Sequence, residues 1–304
     1  MEGFNKNKSA DLKGKGDTEK FKQFFCEMLA DIEEPTLPFG LSDVYQDGTG
    51  ISESHRMFTP ELNARLRHEC RRLGVSLASL CHLAWGMVLS RITGQARVVF
   101  GTVLFGRLQG GSGAAQAMGL FINTLPVRID VDNTAVAVSV RAAHGRLAAL
   151  LEHEHASLAL AQRCSAVPAG TPLFSALLNY RHNASSPAAE VPAGERLSAE
   201  ERTNYPFALS VEDFGDALGV TAKVQAPAEA ARVCGYMQQA LESLADALAQ
   251  APECEVRELE TVPPEERTLL LDTWNRTEAP YPAEQCLHQL FEAQVSLSPS
   301  APAV

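Results

Sequence analysis

Residues 98–131 of this chain read VVFGTVLFGRLQGGSGAAQAMGLFINTLPVRIDV, two apolar runs joined by a glycine-rich connection. The runs 98–105 and 121–131 are rich in β-branched and other apolar residues, so both are predicted to be strands that are buried on at least one face. The glycines between them remove the Cβ constraint, which suits a loop beside a ligand or partner. An ordinary flexible connector would have the same composition.

Hydrophobic spacing outside this stretch predicts further helices and strands. Helices are predicted at residues 17–32, 60–73, 76–94, 134–155 and 229–250. Strands are predicted at residues 54–58, 172–182, 206–212 and 218–225. Segment 172–182 is apolar on both alternations, which indicates an interior strand, and Gly215 favours a hairpin turn between the last two strands. The order of these elements predicts a mixed sheet flanked by helices, an α/β sandwich.

Composition and charge argue against several classes of protein. The chain has 304 residues and a formal net charge of −11, which disfavours binding to nucleic acid or to an anionic membrane. No apolar run reaches the roughly 18 to 20 residues of a membrane span and no signal peptide is recognisable, so a cytoplasmic location is predicted. The seven cysteines are widely spaced and form no C-x-x-C pair, which argues against a disulfide framework or a zinc site.

The distribution of residue types predicts four segments along the chain. Six of the seven lysines fall within the first 22 residues, so residues 1–16 are interpreted as a disordered leader, with a native polar tail as the alternative. Residues 17–252 are predicted to form the main domain. Residues 253–282 are interpreted as a linker, and residues 283–304 as the start of a further domain that is cut short.

Histidines are the first candidates for catalysis. His153 and His155 would point about 200° apart on a helix, so they are not expected to share a metal ion. His144 lies on an apolar helical face and is either a core histidine or a base. His182 follows an interior strand, a common place for site residues in α/β proteins, and a surface role is the alternative. No G-x-S-x-G, Gly-Lys-Ser/Thr or G-x-G-x-x-G motif is present, so the motifs assign no catalytic residue and no metal site.

Four sequence elements and a downstream junction resemble the condensation domains of nonribosomal peptide synthetases. Residues 118–128, MGLFINTLPVR, resemble the G-x-F-x-N-T-x-x-x-R motif of that family, and residues 98–107 resemble its V-x-G-T-x-x-x-G-R segment. Residues 202–207, RTNYPF, are similar to the R-x-N-x-P-L element, and residues 172–183 resemble a core strand that ends in N-Y-x-N. Residues 274–292 resemble the junction that opens an adenylation domain.

The resemblance implies a fold and a reaction. Family members resemble chloramphenicol acetyltransferase and have two lobes, so residues 17–252 are expected to form the C-terminal lobe, an α/β sandwich with a mixed sheet. The implied reaction is attack of an aminoacyl amine on an upstream acyl thioester. Both substrates are expected on phosphopantetheine arms of carrier protein domains, with no cofactor bound to the chain itself. An adenylation domain in cis, beginning at residues 283–304, is the other implied partner.

Two departures from the family pattern bear on activity. The H-H-x-x-x-D-G motif of the first lobe has no counterpart, since the chain contains no His-His pair and no H-x-x-x-D sequence. The H/N-Q-D-x-P-F-E element is replaced by residues 155–160, HASLAL. The N-terminal lobe is therefore expected to be missing, and the polypeptide alone is expected to be inactive as a condensation catalyst.

The resemblance implies supporting rather than catalytic residues within this lobe. Asn123 and Thr124 are polar positions in a buried strand, and they either lie near the tunnel of the family or satisfy the neighbouring loop. Arg128 either pairs across the lobe interface or lies at a solvated strand end. The other residues expected to support the tunnel or the lobe interface are Gly119, Arg202 and Asn204.

Two further functions stay open. The chain could be a self-contained acyltransferase in which two copies build a tunnel, with His144 or His182 as the base. It could also be a non-catalytic module that docks carrier proteins.

Overall fold

A computed structural model of the chain describes residues 15–45, 47–105, 122–182, 203–280 and 283–302. The strands of this described part are β1 (Ile51–Met57), β2 (Arg97–Phe105), β3 (Ile122–Asp130), β4 (Ala176–His182), β5 (Phe207–Asp213) and β6 (Leu218–Gln225). They form one six-stranded sheet in the order β1-β6-β5-β4-β2-β3. The glycine-rich connection from residue 106 to residue 121 lies outside the described residues.

The sheet is mixed, as the sequence predicts. Strand β4 pairs in parallel with both β2 and β5, whereas β3, β6 and β1 each pair antiparallel with their neighbours. The predicted interior strand is therefore central. The hairpin between β5 and β6 is confirmed, since Phe214 N–H donates to Ala217 O at 3.0 Å and Gly215 has a φ of 87°.

Six α-helices belong to the same compact unit as the sheet within the described ranges. They are α1 (Lys15–Leu29), α2 (Pro60–Leu73), α3 (Leu77–Thr93), α4 (Val136–Glu152), α5 (Leu158–Gln162) and α6 (Ala230–Gln250). Helix α2 begins where Thr59 accepts a hydrogen bond from Leu62 N–H and ends at Gly74, which has a φ of 69°. Helix α5 was not predicted, because five residues are too few to show a helical period.

The two faces of the sheet differ in how they are covered. Along β5, Phe207, Leu209 and Val211 are buried, and the residues between them are half-buried. Helices α3, α4 and α6 contact the strands on the side to which these buried residues point, which we call the covered face, and α2 packs on α3 and α6. On the covered face the Trp85 ring stacks on Phe207 at a centroid distance of 5.4 Å. We call the other side the open face. There α1 lies beside β3, and Arg128 Nη1 donates to Met28 O at 3.2 Å.

Gly86 marks a close approach of α3 to the covered face. A Cβ built on Gly86 would lie 2.4 Å from Ile129 Cγ2, whereas a Cβ built on Gly145 in α4 would meet no atom within 4 Å. Of these two positions, only Gly86 requires a glycine for the helix to pack against the sheet.

We expect Gly86→Ala to lower the free energy of unfolding by about 1 to 3 kcal/mol, because the added methyl group overpacks the helix against the sheet. The matched change Gly145→Ala should raise it by about 0.5 to 1 kcal/mol, because alanine favours a helix interior over glycine. Urea denaturation of the three proteins measures both effects. Shifts of the same sign would contradict this account.

The chain divides into two compact units, Met1–Pro263 and Pro264–Val304. The predicted linker of residues 253–282 differs from this division, because its first part packs in the first unit. Val136 N–H donates to Cys254 O at 2.9 Å, and Val256 is completely buried. Proline and acidic residues made this segment resemble a linker, although its few apolar residues anchor it beside α4.

The second unit contains α7 (Pro264–Thr268), a π-helical turn (Leu269–Thr273) and α8 (Leu287–Leu297). The interpretation of residues 283–304 as the start of an adenylation domain stays a prediction. The predicted leader, residues 1–16, lies outside the described residues except for its last two, which belong to α1.

No single helix in the described ranges is long and apolar enough to cross a membrane, and α2 and α3 meet that criterion only as a pair bent by 109°. All seven cysteines are free thiols, and Cys70, Cys81 and Cys234 are buried within helices.

Candidate functional site

The open face contains a cavity of about 370 Å³ above the centre of the sheet. Its floor lies close to the backbone of β5, because the residues of β5 that line it, Ala208 and Ser210, have small side chains. Larger apolar side chains surround the floor, and they are Val103, Phe105, Ile122 and Leu177. Phe105 and Ile122 are 46% and 52% exposed, so an apolar surface borders the cavity.

Polar side chains line the remainder of the cavity. With the Asn179 amide oriented so that its oxygen faces Arg181, that oxygen accepts hydrogen bonds from the guanidinium at 2.9 and 3.0 Å. Lys223 Nζ lies 3.5 Å from Glu53 Oε2. Both cations are therefore held by neighbours on the open face. Thr203, in the segment that precedes β5, adds a hydroxyl to the lining.

Asn123 satisfies a neighbouring loop, which is one of its two predicted roles. Its Nδ2 donates to Glu154 O at 2.7 Å and to Ala156 O at 2.8 Å, while its Oδ1 accepts from Thr124 N–H at 3.0 Å. The amide thus holds the segment that follows α4 against the start of β3.

We expect Asn123→Asp to lower the free energy of unfolding by about 2 kcal/mol, because two carbonyl groups would then face a carboxylate that has no proton to donate. Thermal or urea denaturation near pH 7 measures the change. Asn133→Asp, at an exposed position, is the matched control and should have almost no effect. Equal destabilisation by both changes would contradict the role of the Asn123 amide.

Thr124 lies on the open face, where its methyl group helps to crowd Gly101 of β2. A Cβ built on Gly101 would lie 2.4 Å from Leu177 Cδ2 and 2.9 Å from Thr124 Cγ2. Gly101 therefore lets the side chains of the two neighbouring strands close over β2 next to the cavity.

Arg128 pairs within the chain. Its guanidinium contacts Asp31 at 2.6 Å and Asp130 at 2.8 Å, and its side chain is 15% exposed. Burial alone would lower the pKa of Arg128, but the two carboxylates raise it above its ordinary value. Arg97 and Arg146 extend the same row of alternating charges, which ties α1, β3 and α4 together.

The other predicted supporting residues are placed less fully. Asn204 Nδ2 donates to Val44 O at 2.5 Å, which fastens the segment before β5 to the connection that precedes β1. Gly119 and Arg202 lie outside the described residues. The predicted roles of these residues at a tunnel or a lobe interface stay predictions.

A second polar cluster lies where β4 and β5 end on the covered face. Asp213 is 3% exposed. Its carboxylate is in contact with the Arg67 guanidinium and accepts from the Tyr180 hydroxyl at 2.5 Å and from Gly215 N–H at 2.9 Å. Burial alone would raise the pKa of Asp213, but these hydrogen bonds lower it below its ordinary value. Nδ1 of His182 lies 3.3 Å from Asp213 Oδ2.

His82 was not identified in the sequence as a notable residue, yet it is completely enclosed between α3 and β2. Its Nδ1 lies 2.6 Å from Ala78 O, which fixes the proton on that nitrogen, and Nε2 accepts from the Thr102 hydroxyl at 2.8 Å. Burial lowers the pKa of His82 to about 4. In the sequence, the one indication that His82 is buried is its position in an almost entirely apolar helix. A histidine in such a position is expected to have a structural role.

The remaining histidines are not brought together. His144 Nδ1 accepts from the Ser79 hydroxyl at 3.0 Å in a half-buried position. The ring of His153 stacks on Phe24 at 4.1 Å, and His155 is largely exposed. Among the residues that the structure describes, no group of three His, Cys, Asp or Glu side chains could hold a metal ion.

Comparison with known proteins agrees with this fold and its sequence elements. The family model for the condensation domain matches residues 8–271. The chain belongs to the condensation-domain family. Malpibaldin synthetase of Mortierella alpina is 58% identical over 93% of the chain, and bacitracin synthase 3 of Bacillus licheniformis is 29% identical over 81% of it. The chain spans 5% and 4% of the lengths of these relatives.

Solved condensation-domain structures share the fold. A four-domain nonribosomal peptide synthetase bound to AMP and glycine aligns with 95% of the chain at a TM-score of 0.70 and 16% identity, and the chain covers 23% of it. The first condensation domain of the calcium-dependent antibiotic synthetase aligns with 84% of the chain at a TM-score of 0.64 and 17% identity, and the chain covers 56% of it. The predicted α/β fold with a mixed sheet flanked by helices is thereby confirmed.

Proposed function

We propose that this condensation domain chain supplies one of the two lobes of a peptide-bond-forming unit in a nonribosomal peptide synthetase. The observation that carries the proposal is the family match over residues 8–271 together with the cavity that the described residues form on the open face of the sheet. The coverage of 56% of a solved condensation domain supports a single lobe. In this arrangement the open face is one wall of the reaction site.

The proposed reaction joins a carrier-bound acyl donor to a carrier-bound aminoacyl acceptor. The acceptor nitrogen attacks the thioester carbonyl, the carbon–sulfur bond breaks, the donor carrier keeps its thiol, and the nitrogen loses one proton. A histidine that removes this proton typically contributes about 10²- to 10⁴-fold, and the complementary lobe would supply it. Holding both tethered substrates in place contributes more, up to roughly 7 to 11 kcal/mol.

The proposed partners follow from this reaction. Carrier protein domains would present both substrates on phosphopantetheine, so the chain itself needs no bound cofactor. An adenylation domain downstream, beginning within residues 283–304, would select the acceptor. The structural neighbour described above is a four-domain synthetase bound to AMP and glycine, which is consistent with such an arrangement.

Complementation tests the proposal. The purified chain is mixed with an acyl-loaded donor carrier and an aminoacyl-loaded acceptor carrier, with or without a separately expressed lobe that contains the H-H-x-x-x-D-G motif. We expect amide product, measured by mass spectrometry of the acceptor carrier, only when that lobe is present. Carrier binding without product in both mixtures would instead favour the non-catalytic docking module.

A second candidate rests on the contact between His182 and Asp213. A buried carboxylate beside Nδ1 can orient an imidazole, and the His182 side chain is 66% exposed. In a self-paired acyltransferase this histidine would be the base. Product formed by the chain alone, and lost in His182→Ala but kept in His144→Ala, would favour this candidate over the first.

A further inference from the structure

The cavity on the open face has a size and a lining that suit a single side chain. Its floor is set by the small residues Ala208 and Ser210, and its walls by Leu177 and Val103. The floor is thus built into β5, in the middle of the sheet, where neighbouring strands fix the backbone on both sides. A pocket on such a frame is largely preformed.

The size of the cavity limits what can enter it. An apolar cavity of about 150 Å³ is enough for a benzene molecule, and this cavity measures about 370 Å³. It therefore accommodates a branched or aromatic side chain and part of the group to which that side chain is attached. It is too small to hold a folded domain or a long peptide.

The chemistry of the lining favours an apolar occupant. The deep wall is formed by Leu177 and Val103, with the half-exposed Phe105 and Ile122 at the rim. The ionisable residues in the described lining are Arg181 and Lys223, both cations. A lysine or arginine side chain of a substrate would meet like charge there. An aspartate side chain would compete with Glu53 for Lys223, since these two already pair at 3.5 Å, and it would lose hydration against Leu177 and Val103.

We propose that this cavity binds the apolar side chain of a thioester-linked substrate, so that the condensation unit prefers leucine-like or phenylalanine-like groups over charged ones. The inference rests on the proposed function and names the substrate class of its site. Asn179 and Ser210 lie on the polar side of the cavity, where they can hydrogen-bond to the carbonyl or amine end of the substrate. Such a side chain could belong either to the aminoacyl acceptor or to the acyl donor. The experiment below distinguishes these two substrates.

Binding of pantetheine thioesters to the purified chain tests the inference. Four aminoacyl probes carry leucine, phenylalanine, aspartate or lysine, and two acyl probes, 4-methylpentanoyl and 3-phenylpropanoyl, keep an apolar side chain but lack the amine. Methyl-labelled NMR follows Ala208, Val103, Leu177 and Ile122. We expect the leucyl and phenylalanyl probes to bind at least tenfold more tightly than the charged ones and to shift these methyl signals. Tighter binding of the amine-free pair would assign the cavity to the donor, and tighter binding of the aminoacyl pair to the acceptor.

Two variants make the test specific. Ala208→Met fills the floor and should weaken binding of the apolar probes at least tenfold, while Ser52→Met, a small-to-large change on the exposed strand β1, should leave it unchanged. Leu177→Ala enlarges the cavity and should shift the preference from leucyl toward phenylalanyl, so the inference stays testable if Ala208→Met fails to fold. Equal binding of charged and apolar probes would overturn the inference, as would unchanged binding in both cavity variants.

The complementation assay separates failure of this inference from failure of the proposed function. Product formed without any preference among apolar and charged substrates would overturn the inference and leave the function standing. Selective binding of apolar probes to the cavity, without product in the presence of the complementary lobe, would overturn the function and keep the binding site.

Discussion

Replacing Asp213 by asparagine is expected to lower the free energy of unfolding by about 3 kcal/mol, because the change leaves the charge of Arg67 uncompensated in a partly buried site. The carboxylate accepts hydrogen bonds from Arg67, Tyr180 and Gly215 N–H. An asparagine has only one oxygen for these three donors, and its NH₂ group would face a donor. Urea denaturation at pH 7 measures the loss.

Asp246→Asn provides the matched control for this prediction. Asp246 also pairs with an arginine, Arg65, but the two side chains are 57% and 46% exposed, so loss of the pair should cost about 0 to 1 kcal/mol. A small effect of Asp213→Asn, equal to that of the control, would show that the cluster at the ends of β4 and β5 does not stabilise the sheet. The same variant would also disturb His182 and therefore bears on the acyltransferase candidate.

Acidification from pH 7 to pH 4 is expected to remove about 3 kcal/mol of stability through His82 alone. Its pKa in the folded protein is about 4, against an ordinary value of 6.5. The unfolded chain therefore binds a proton at a higher pH than the folded chain, and lowering the pH through this window favours unfolding. The contribution is complete above about pH 6.5 and is lost progressively toward pH 4.

The variant His82→Gln keeps a hydrogen-bonding side chain but cannot ionise, so the slope of stability against pH between 4 and 6.5 should flatten. Chemical denaturation at several pH values measures that slope. His68→Gln, at a side chain that is 69% exposed, should leave it unchanged. The buried carboxylate of Asp213 does not dominate this window, because its pKa is lowered below its ordinary value and its stabilisation is lost mainly in more acidic solution. An unaltered slope in His82→Gln would contradict the buried, neutral histidine.

Local signals in the sequence were sufficient for most helices and strands. Thr59 and Gly74 delimit α2 through their side-chain and backbone chemistry, and these signals are contained within a few residues. The interior position of β4 followed from apolar residues on both alternations. The family resemblance added the architecture to these local predictions, and the family match and the solved structures confirm the α/β fold with its mixed sheet.

The sites depended on contacts that the sequence does not reveal. Arg67 and Asp213 are 146 residues apart, and the sequence around each residue contains no motif that indicates that they pair. The cavity exists because β2, β4 and β5 lie side by side, and their order could not be derived from periodicity. Small residues at alternate positions of β5, Ala208 and Ser210, were the only local indication of a low floor. Asn123 shows the opposite case, since its need for a partner in a neighbouring loop was predicted, whereas the particular carbonyl groups of Glu154 and Ala156 were not.

The pairing of β1 with β6 has a consequence for synthesis in the cell. Ser52 lies opposite Val224 in this pairing, and its hydroxyl donates to Val224 O across 172 residues of sequence. The strand β1 therefore leaves the ribosome long before β6 exists. At typical rates of about 5 to 20 residues per second, β1 stays unpaired for roughly ten to thirty seconds. During that interval β2 and β3, which are close in sequence, can already pair. Strand β1 is meanwhile free to pair with a non-native strand edge until β6 has been synthesised.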